Sequence, residues 1–108
     1  MTDHREYWKD GFLIAEGKLD HKNLKFGLWK EYNKQGIVIV ESHYYRSKIN
    51  GLYVSYYDKG SILCKGWYKD GMKDGEFKIF NEAGKLILTQ TYFKNKLFSE
   101  YKEPDFMR

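Results

Sequence analysis

The chain has 108 residues, of which 42% are apolar and 19% aromatic, with a formal net charge of +4. This composition argues against disorder and leaves room for one domain only. A single cysteine, Cys64, excludes an internal disulfide framework and a multi-cysteine metal site. The 19 basic and 15 acidic residues are scattered along the chain, which indicates a mild preference for acidic partners.

The N-terminal segment, residues 1–10, is charged, and no long apolar run follows it. The longest aliphatic run is Ile-Val-Ile-Val over residues 37–40. A secretory leader or a membrane-spanning helix needs a longer apolar segment. We therefore expect a cytoplasmic protein, which also agrees with the single cysteine.

Two series of small residues recur every 24 positions. The first series is Gly27, Gly51, Gly75 and, in place of a fourth glycine, Ser99; the second lies nine residues later and is Gly36, Gly60 and Gly84. Self-similarity at such a period is typical of stacked supersecondary units. We predict one repeat domain over residues 1–108, with a degenerate first unit over about residues 3–26. Three full units follow over 27–50, 51–74 and 75–98, and a terminal cap over 99–108.

Each unit contains the signature of a hairpin turn. Counting from the first glycine as position 0, positions 6–9 are residues 33–36, 57–60 and 81–84, and each ends in glycine. Asn or Asp early and Gly last favour a type I turn followed by a residue with positive φ, the usual three-residue hairpin loop with a bulge. Each unit is therefore predicted to be a β-hairpin.

The residues after each turn alternate in polarity. Positions 11, 13, 15 and 17 are mostly apolar or small, whereas positions 14 and 16 are mostly polar, as in Glu41 and His43. This period of two is typical of a strand with one buried face, and no stretch shows a helical period. The predicted fold class is all-β, an elongated antiparallel β-meander of about four tandem hairpin repeats.

Aromatic residues occupy fixed positions in the units. Position 17 holds a tyrosine in each full unit, and the other two positions are position 2 (Trp29, Tyr53, Phe77, Tyr101) and position 5 (Tyr32, Tyr56, Phe80). Regular pairing places position 5 opposite position 11 and position 2 opposite position 14, on the other face. A bulge at the position 0 glycine would return position 2 to the main apolar face. Both alternatives stay open.

The string glycine, x, aromatic, x, x, aromatic, followed by a turn and a second glycine, resembles the MORN-type repeat. The similarity is greatest to the variant found in bacterial antitoxin components, and the matching segments are residues 27–32, 51–56 and 75–80. It extends from about Tyr7 to Tyr101. The resemblance implies an elongated β-meander that binds proteins, with neutralisation of a toxic enzyme as one role and membrane-lipid or scaffold binding in the wider group. It carries over no catalytic residues.

The sequence contains no pattern of catalytic or metal-binding residues. The three histidines, His4, His21 and His43, occupy different repeat positions without a Cys or His neighbour at metal-ligand spacing. Cys64 shares its position with Val40 and Leu88, which predicts a buried, inert thiol. No nucleophile elbow or phosphate-binding glycine loop is present. We therefore predict a protein that is not an enzyme and holds no cofactor or metal.

A few large side chains depart from the repeat, since they occupy positions that are otherwise polar. Trp, Tyr and Arg dominate binding energy at interfaces. Positions 16 and 18 share one strand face, so their side chains would form a stripe, although such rings also cover the second face of a thin sheet. The predicted partner-binding residues are Trp67, Tyr45, Phe93, His43 and Tyr57, with the cations Arg46, Lys69 and Lys94.

The leading functional prediction is a module that neutralises or inhibits a protein partner, a toxin or a nuclease, in the manner of an antitoxin or immunity protein. The alternative is an inhibitor encoded by a phage or mobile element that acts on a host defence nuclease and contacts its RNA. Basic side chains beside the rings could bind single-stranded nucleic acid, although lysines at edges and turns also block aggregation. Docking to a membrane or scaffold is the third class, disfavoured by the lack of a polybasic cluster. The lysines considered for nucleic-acid binding are Lys22, Lys25, Lys65, Lys69, Lys94 and Lys96. The oligomeric state stays open.

Overall fold

The computed structural model describes residues 1–104, so the end of the predicted terminal cap, residues 105–108, lies outside the described part. Ten antiparallel strands form one sheet: β1 Thr2–Tyr7, β2 Leu13–Leu19, β3 Lys25–Tyr32, β4 Val38–Tyr45, β5 Lys48–Tyr56, β6 Ile62–Lys69, β7 Met72–Lys73, β8 Gly75–Phe80, β9 Leu86–Phe93 and β10 Lys96–Lys102. Strand order follows chain order, except that the short β7 pairs with β6 alone. The dimensions are 47 × 32 × 18 Å. The prediction of an elongated, all-β antiparallel meander is confirmed, while the unit boundaries and the number of repeats stay predictions.

The predicted glycine turns form as expected. Asn33 N donates to Ile37 O at 2.9 Å and Gly36 N donates to Asn33 O at 3.0 Å. Gly36 has a φ of +81°, and the Asn33 side-chain oxygen accepts from the backbone N–H groups of Gln35 and Ile37. The hairpin therefore closes through a three-residue loop whose last residue needs the left-handed conformation that glycine adopts without strain.

A second row of turns lies at the opposite ends of the strands. Each is a two-residue turn with positive φ at both residues, and the pairs are Arg46 and Ser47, Asp70 and Gly71, and Lys94 and Asn95. Positive φ at both central residues defines a type I′ turn, which matches the twist of the flanking strands. Each of these turns donates a backbone hydrogen bond to a residue near the start of an earlier strand, as where Ser47 N donates to Lys25 O at 3.0 Å.

Each hairpin contains a bulge beside its glycine turn. Tyr32 faces Val38, but Glu31 faces Val40, so Ile39 has no partner on β3. The residues left over in the other hairpins are Ile14, Leu63 and Ile87. Because this skip moves the register by one, Trp29 at position 2 faces Ser42 at position 15, not position 14. Regular pairing is therefore wrong, and the shift originates beside the turn and not at the position 0 glycine.

The two faces of the sheet are distinguished by this register. Trp29, Ser42, Tyr53 and Gly66 face one another across four successive strands, and we call the face that carries them the Trp29 face. The opposite face carries the alternate residues, among them Leu28, His43, Leu52 and Trp67, and we call it the Trp67 face.

The core is a row of rings on the Trp29 face. Trp29 is 1% exposed and Phe77 is 2% exposed. Phe77 contacts Tyr68 and Tyr92 edge-on, with ring centroids 5.5 Å apart in both pairs. Its ring covers Gly66, where an added Cβ would lie 2.2 Å from the ring. A large ring on one strand therefore requires a residue without a side chain on the neighbouring strand.

The last strand departs from this pattern at Ser99. Gly51 and Gly75, at the same position, have φ of +120° and +96°, and the bulge that contains Gly51 inserts residues 50–52 opposite a single residue. β10 skips only one residue, so Glu100 faces Gln90 and Tyr101 faces Thr89. Tyr101 therefore does not join the other position 2 rings but lies exposed on the Trp67 face, because the repeat position without glycine forms a shorter bulge.

Candidate partner-binding face

Three large rings among the predicted site residues are exposed on the Trp67 face. Trp67 lies directly opposite Leu52, and Tyr45 and Phe93 lie on β4 and β9, directly opposite Lys48 and Lys96. Their exposed fractions are 51% for Trp67, 50% for Tyr45 and 60% for Phe93. The alternation along each strand brings positions 16 and 18 to one face, as the sequence predicts.

The type I′ turns add cations at one end of this face. The Arg46 guanidinium lies 5.3 Å from the centroid of the Tyr45 ring, and Lys94 Nζ lies 5.4 Å from that of Phe93. Arg46 and Lys94 hold φ of +51° and +48°, a conformation that costs an L-residue energy and that these side chains do not favour. Lys69 lines a shallow groove with Phe93 and Lys94. The predicted aromatic and basic residues therefore adjoin one another at this edge.

His43 and Tyr57, the two other predicted residues, have different environments. His43 is half-buried, and its Nδ1 lies 3.2 Å from the carbonyl oxygen of Leu52, to which the Nδ1–H tautomer donates. It lies beside Trp67, because a Cβ added at Gly51 would be 3.4 Å from the His43 Cβ and 4.0 Å from Trp67 Cη2. Tyr57 instead lies in a glycine turn, where its phenol donates to the Phe80 carbonyl at 2.7 Å. The structure does not bring Tyr57 to the stripe.

Charge is unequal on the two faces, as the strand registers show. The Trp29 face carries three cations and three carboxylates in its strands, namely Lys25, Lys73, Lys102, Glu6, Glu31 and Glu100. The Trp67 face carries eight cations in its strands, namely Arg5, Lys18, Lys30, Lys48, Lys65, Lys69, Lys78 and Lys96. The same face carries four carboxylates in its strands, namely Asp3, Glu16, Glu41 and Glu76, and Asp74 lies between β7 and β8. The positive excess therefore lies on the face with the exposed rings.

Two of these carboxylates are held by tyrosines of the next hairpin. The Tyr32 phenol donates to Glu16 and the Tyr56 phenol donates to Glu41. Burial and the adjacent glutamate raise the pKa of each phenol to about 12. The hydrogen bond from Tyr32 lowers the pKa of Glu16, and the Arg5 guanidinium, 3.2 Å from that carboxylate, lowers it further. Sequence analysis missed both of these Tyr–Glu contacts.

One repeat further along the chain, both members of this contact are replaced. Lys65 takes the position of Glu16 and Glu41, and Phe80 takes that of the two tyrosines. Lys65 lies directly opposite Lys78, and both side chains are exposed. Like charges directly opposite each other are unfavourable in a sheet. The ion pairs found within residues 1–104 involve neither lysine.

The described residues offer little else in the way of a site. Over residues 1–104, no three His, Cys, Asp or Glu side chains approach closely enough to bind a metal ion together. Burial raises the pKa of the Cys64 thiol, which makes it a poor nucleophile at neutral pH. No helix in this part of the chain is long and apolar enough to span a bilayer.

Comparison with known proteins adds no assignment. No protein-family model matches the chain, and no curated protein matches it in sequence. The resemblance to the MORN-type repeat therefore stays a prediction from the residues that carry it.

Proposed function

We propose that this protein is a binding module that attaches to a protein partner through the Trp67 face and thereby neutralises or inhibits that partner. One observation carries the proposal: Tyr45, Trp67 and Phe93 are half-exposed on the same face that holds the excess of cations. Trp, Tyr and Arg are the residue types that dominate binding energy at protein interfaces, and Phe is enriched there too.

The contrast between the two faces supports binding over a purely structural role. On the Trp29 face, Trp29 and Phe77 are almost fully buried, and the tyrosines that pack against them are half-buried. Tyr45, Trp67 and Phe93 on the Trp67 face leave half or more of their surface to solvent, so they contribute less to folding than the buried rings do. Large exposed apolar surface with a polar rim marks interaction sites. The specific form we propose is an antitoxin-like or immunity-like inhibitor of a toxin or nuclease.

The direct test is capture of the partner from the native host with tagged protein. The Trp67→Ala variant is expected to lose partner affinity by about 2 kcal/mol, the size of a hot-spot truncation, with an unchanged melting temperature. The matched control is Trp8→Ala: Trp8 is 45% exposed and lies beneath Lys34 at 5.4 Å, but it precedes a glycine turn at the other end of the strands. If the Trp67→Ala variant captures the partner as well as the wild-type protein does, or if the variant no longer folds, the proposal is contradicted.

The excess of cations also favours a second candidate, an inhibitor that contacts the RNA of a nuclease. Contacts to phosphates make affinity fall steeply with salt concentration. We expect capture of a protein partner to persist after ribonuclease treatment and at raised salt. Capture that disappears under both conditions would favour RNA contact instead.

A further inference from the structure

We infer that the surface the partner presents is an acidic amphipathic α-helix, which lies across the strands along the centre of the Trp67 face. This inference rests on the proposed function and specifies the chemistry of the partner. It depends on three features of the face: an apolar band, two cationic rims and the spacing of equivalent positions.

The apolar band runs perpendicular to the strands. Leu28 faces His43, the His43 ring contacts the Leu52 carbonyl across the bulge at 3.2 Å, and Leu52 faces Trp67, so these four residues follow one another across β3, β4, β5 and β6. Leu28 and Trp67 are exposed, and the other two are half-buried. Three strand spacings of about 4.8 Å give a length of about 14 Å, which about ten residues of α-helix would cover.

Cations flank this band on both sides. On the side of the glycine turns the rim contains Lys30, Lys65 and Lys78, together with Glu16 and Glu41 directly opposite Lys30, and on the side of the type I′ turns it contains Lys48 and Lys69. Lys18 lies level with His43 and Trp67, at the β2 end of the band. Positions 14 and 18, which mark the two rims, are four residues apart on one strand, or about 13 Å. An α-helix with its side chains is about 10–12 Å wide. A helix on the band would therefore reach both rims, and carboxylates on its two flanks would meet Lys65 and Lys78 on one side and Lys48 and Lys69 on the other.

The repeat spacing fits a helix better than a single nucleic-acid strand. Equivalent positions such as those of His43 and Trp67 lie two strands apart, about 9.6 Å, and residues i and i+7 of an α-helix lie about 10.5 Å apart. Stacked bases advance by only about 3.4 Å. The exposed rings Tyr45, Trp67 and Phe93 lie on alternate strands of the sheet, too far apart to stack on successive bases. The face is therefore matched to an acidic helix.

The test is an NMR titration of the isotope-labelled chain with three probes. The first is a helical peptide of about 16 residues, about 24 Å long, with leucines along one face and glutamates on both flanks. The second is the same peptide with lysines in place of the glutamates, and the third is an oligothymidine of matching length. We expect only the acidic peptide to bind, with shift changes on the Trp67 face.

Charge reversal on one rim provides the matched comparison. The double variant Lys65→Glu with Lys78→Glu is expected to lower the affinity for the acidic peptide by roughly tenfold or more. Lys59→Glu with Lys85→Glu changes the net charge equally in two exposed glycine turns, and is expected to leave affinity within about a factor of two. A melting curve for each variant establishes that the fold persists.

Several results would overturn the inference. These are no binding of the acidic peptide, equal binding of the basic peptide, shift changes on the Trp29 face, or tighter binding of oligothymidine on the Trp67 face. If the peptide fails while capture of the native partner still depends on Trp67, the helix is refuted and the proposed function stands. If capture is independent of Trp67, the proposed function itself fails.

Discussion

Replacement of Gly66 by alanine tests the packing of the core rings. The new Cβ would lie 2.2 Å from Phe77 Cδ2 and 2.3 Å from Cε2, whereas carbon atoms in contact are about 3.5–4.0 Å apart. The ring would have to move by more than 1 Å or so, but Tyr68 and Tyr92 pack on it at 5.5 Å. Overpacking of this kind costs about 1–3 kcal/mol, and the smaller entropy of the unfolded alanine chain returns about 0.4–1 kcal/mol.

We therefore expect Gly66→Ala to lower the free energy of unfolding by about 1–2 kcal/mol, measured by urea denaturation followed by circular dichroism. The melting temperature should fall by roughly 4–8 °C for each kcal/mol. The double variant with Phe77→Leu gives a mutant cycle in which the two losses should be less than additive, because leucine lacks the ring that clashes. A Gly66→Ala chain as stable as wild type, or strict additivity, would refute the packing of Phe77 over Gly66.

Three further predictions concern the Trp67 face. Tyr56→Phe removes the donor to Glu41 and should lower the free energy of unfolding by about 1 kcal/mol, since the contact is partly exposed; an unchanged urea midpoint would contradict this. Because the folded pKa values of Tyr32 and Tyr56 are raised to about 12, their contribution is complete below the unfolded value near pH 10 and is lost as pH rises through 12. Wild type should therefore lose stability over that range more steeply than the variant with both tyrosines changed to phenylalanine, as pH-dependent melting will show. Arg46→Asn should raise stability by about 1 kcal/mol, because Asn tolerates positive φ, while partner affinity falls as Tyr45 loses its cation; a loss of stability would show that the cation–ring contact outweighs the strain.

The hairpins were predictable because each depends on local chemistry. A glycine at the end of each turn and alternating polarity after it predict the strands that the structure contains. The bulge was not predicted, although Ile14, Ile39, Leu63 and Ile87 are aliphatic in all four hairpins at a position where alternation calls for a polar residue. A period of two cannot distinguish an extra buried residue from a regular one, because the bulge depends on pairing with the other strand.

The composition of the Trp67 face depended on that bulge. A slip of one residue transfers every side chain to the opposite face, so the separation of charge between the faces is invisible until the register is known. The stripe of Trp67, Tyr45 and Phe93 was predictable, since these residues depart from the repeat along the same strand face. The contact of Tyr56 with Glu41 could have been found from the simultaneous change to Phe80 and Lys65 at the equivalent positions one repeat further along the chain.

The agreement of strand order with chain order has a consequence for synthesis. Each of the nine long strands pairs with the strands next to it in the sequence, so no segment has to wait for a distant partner. Low contact order of this kind favours rapid folding. Hairpins can therefore join the sheet in turn as they leave the ribosome, and the growing edge at each moment is the docking surface for the next one.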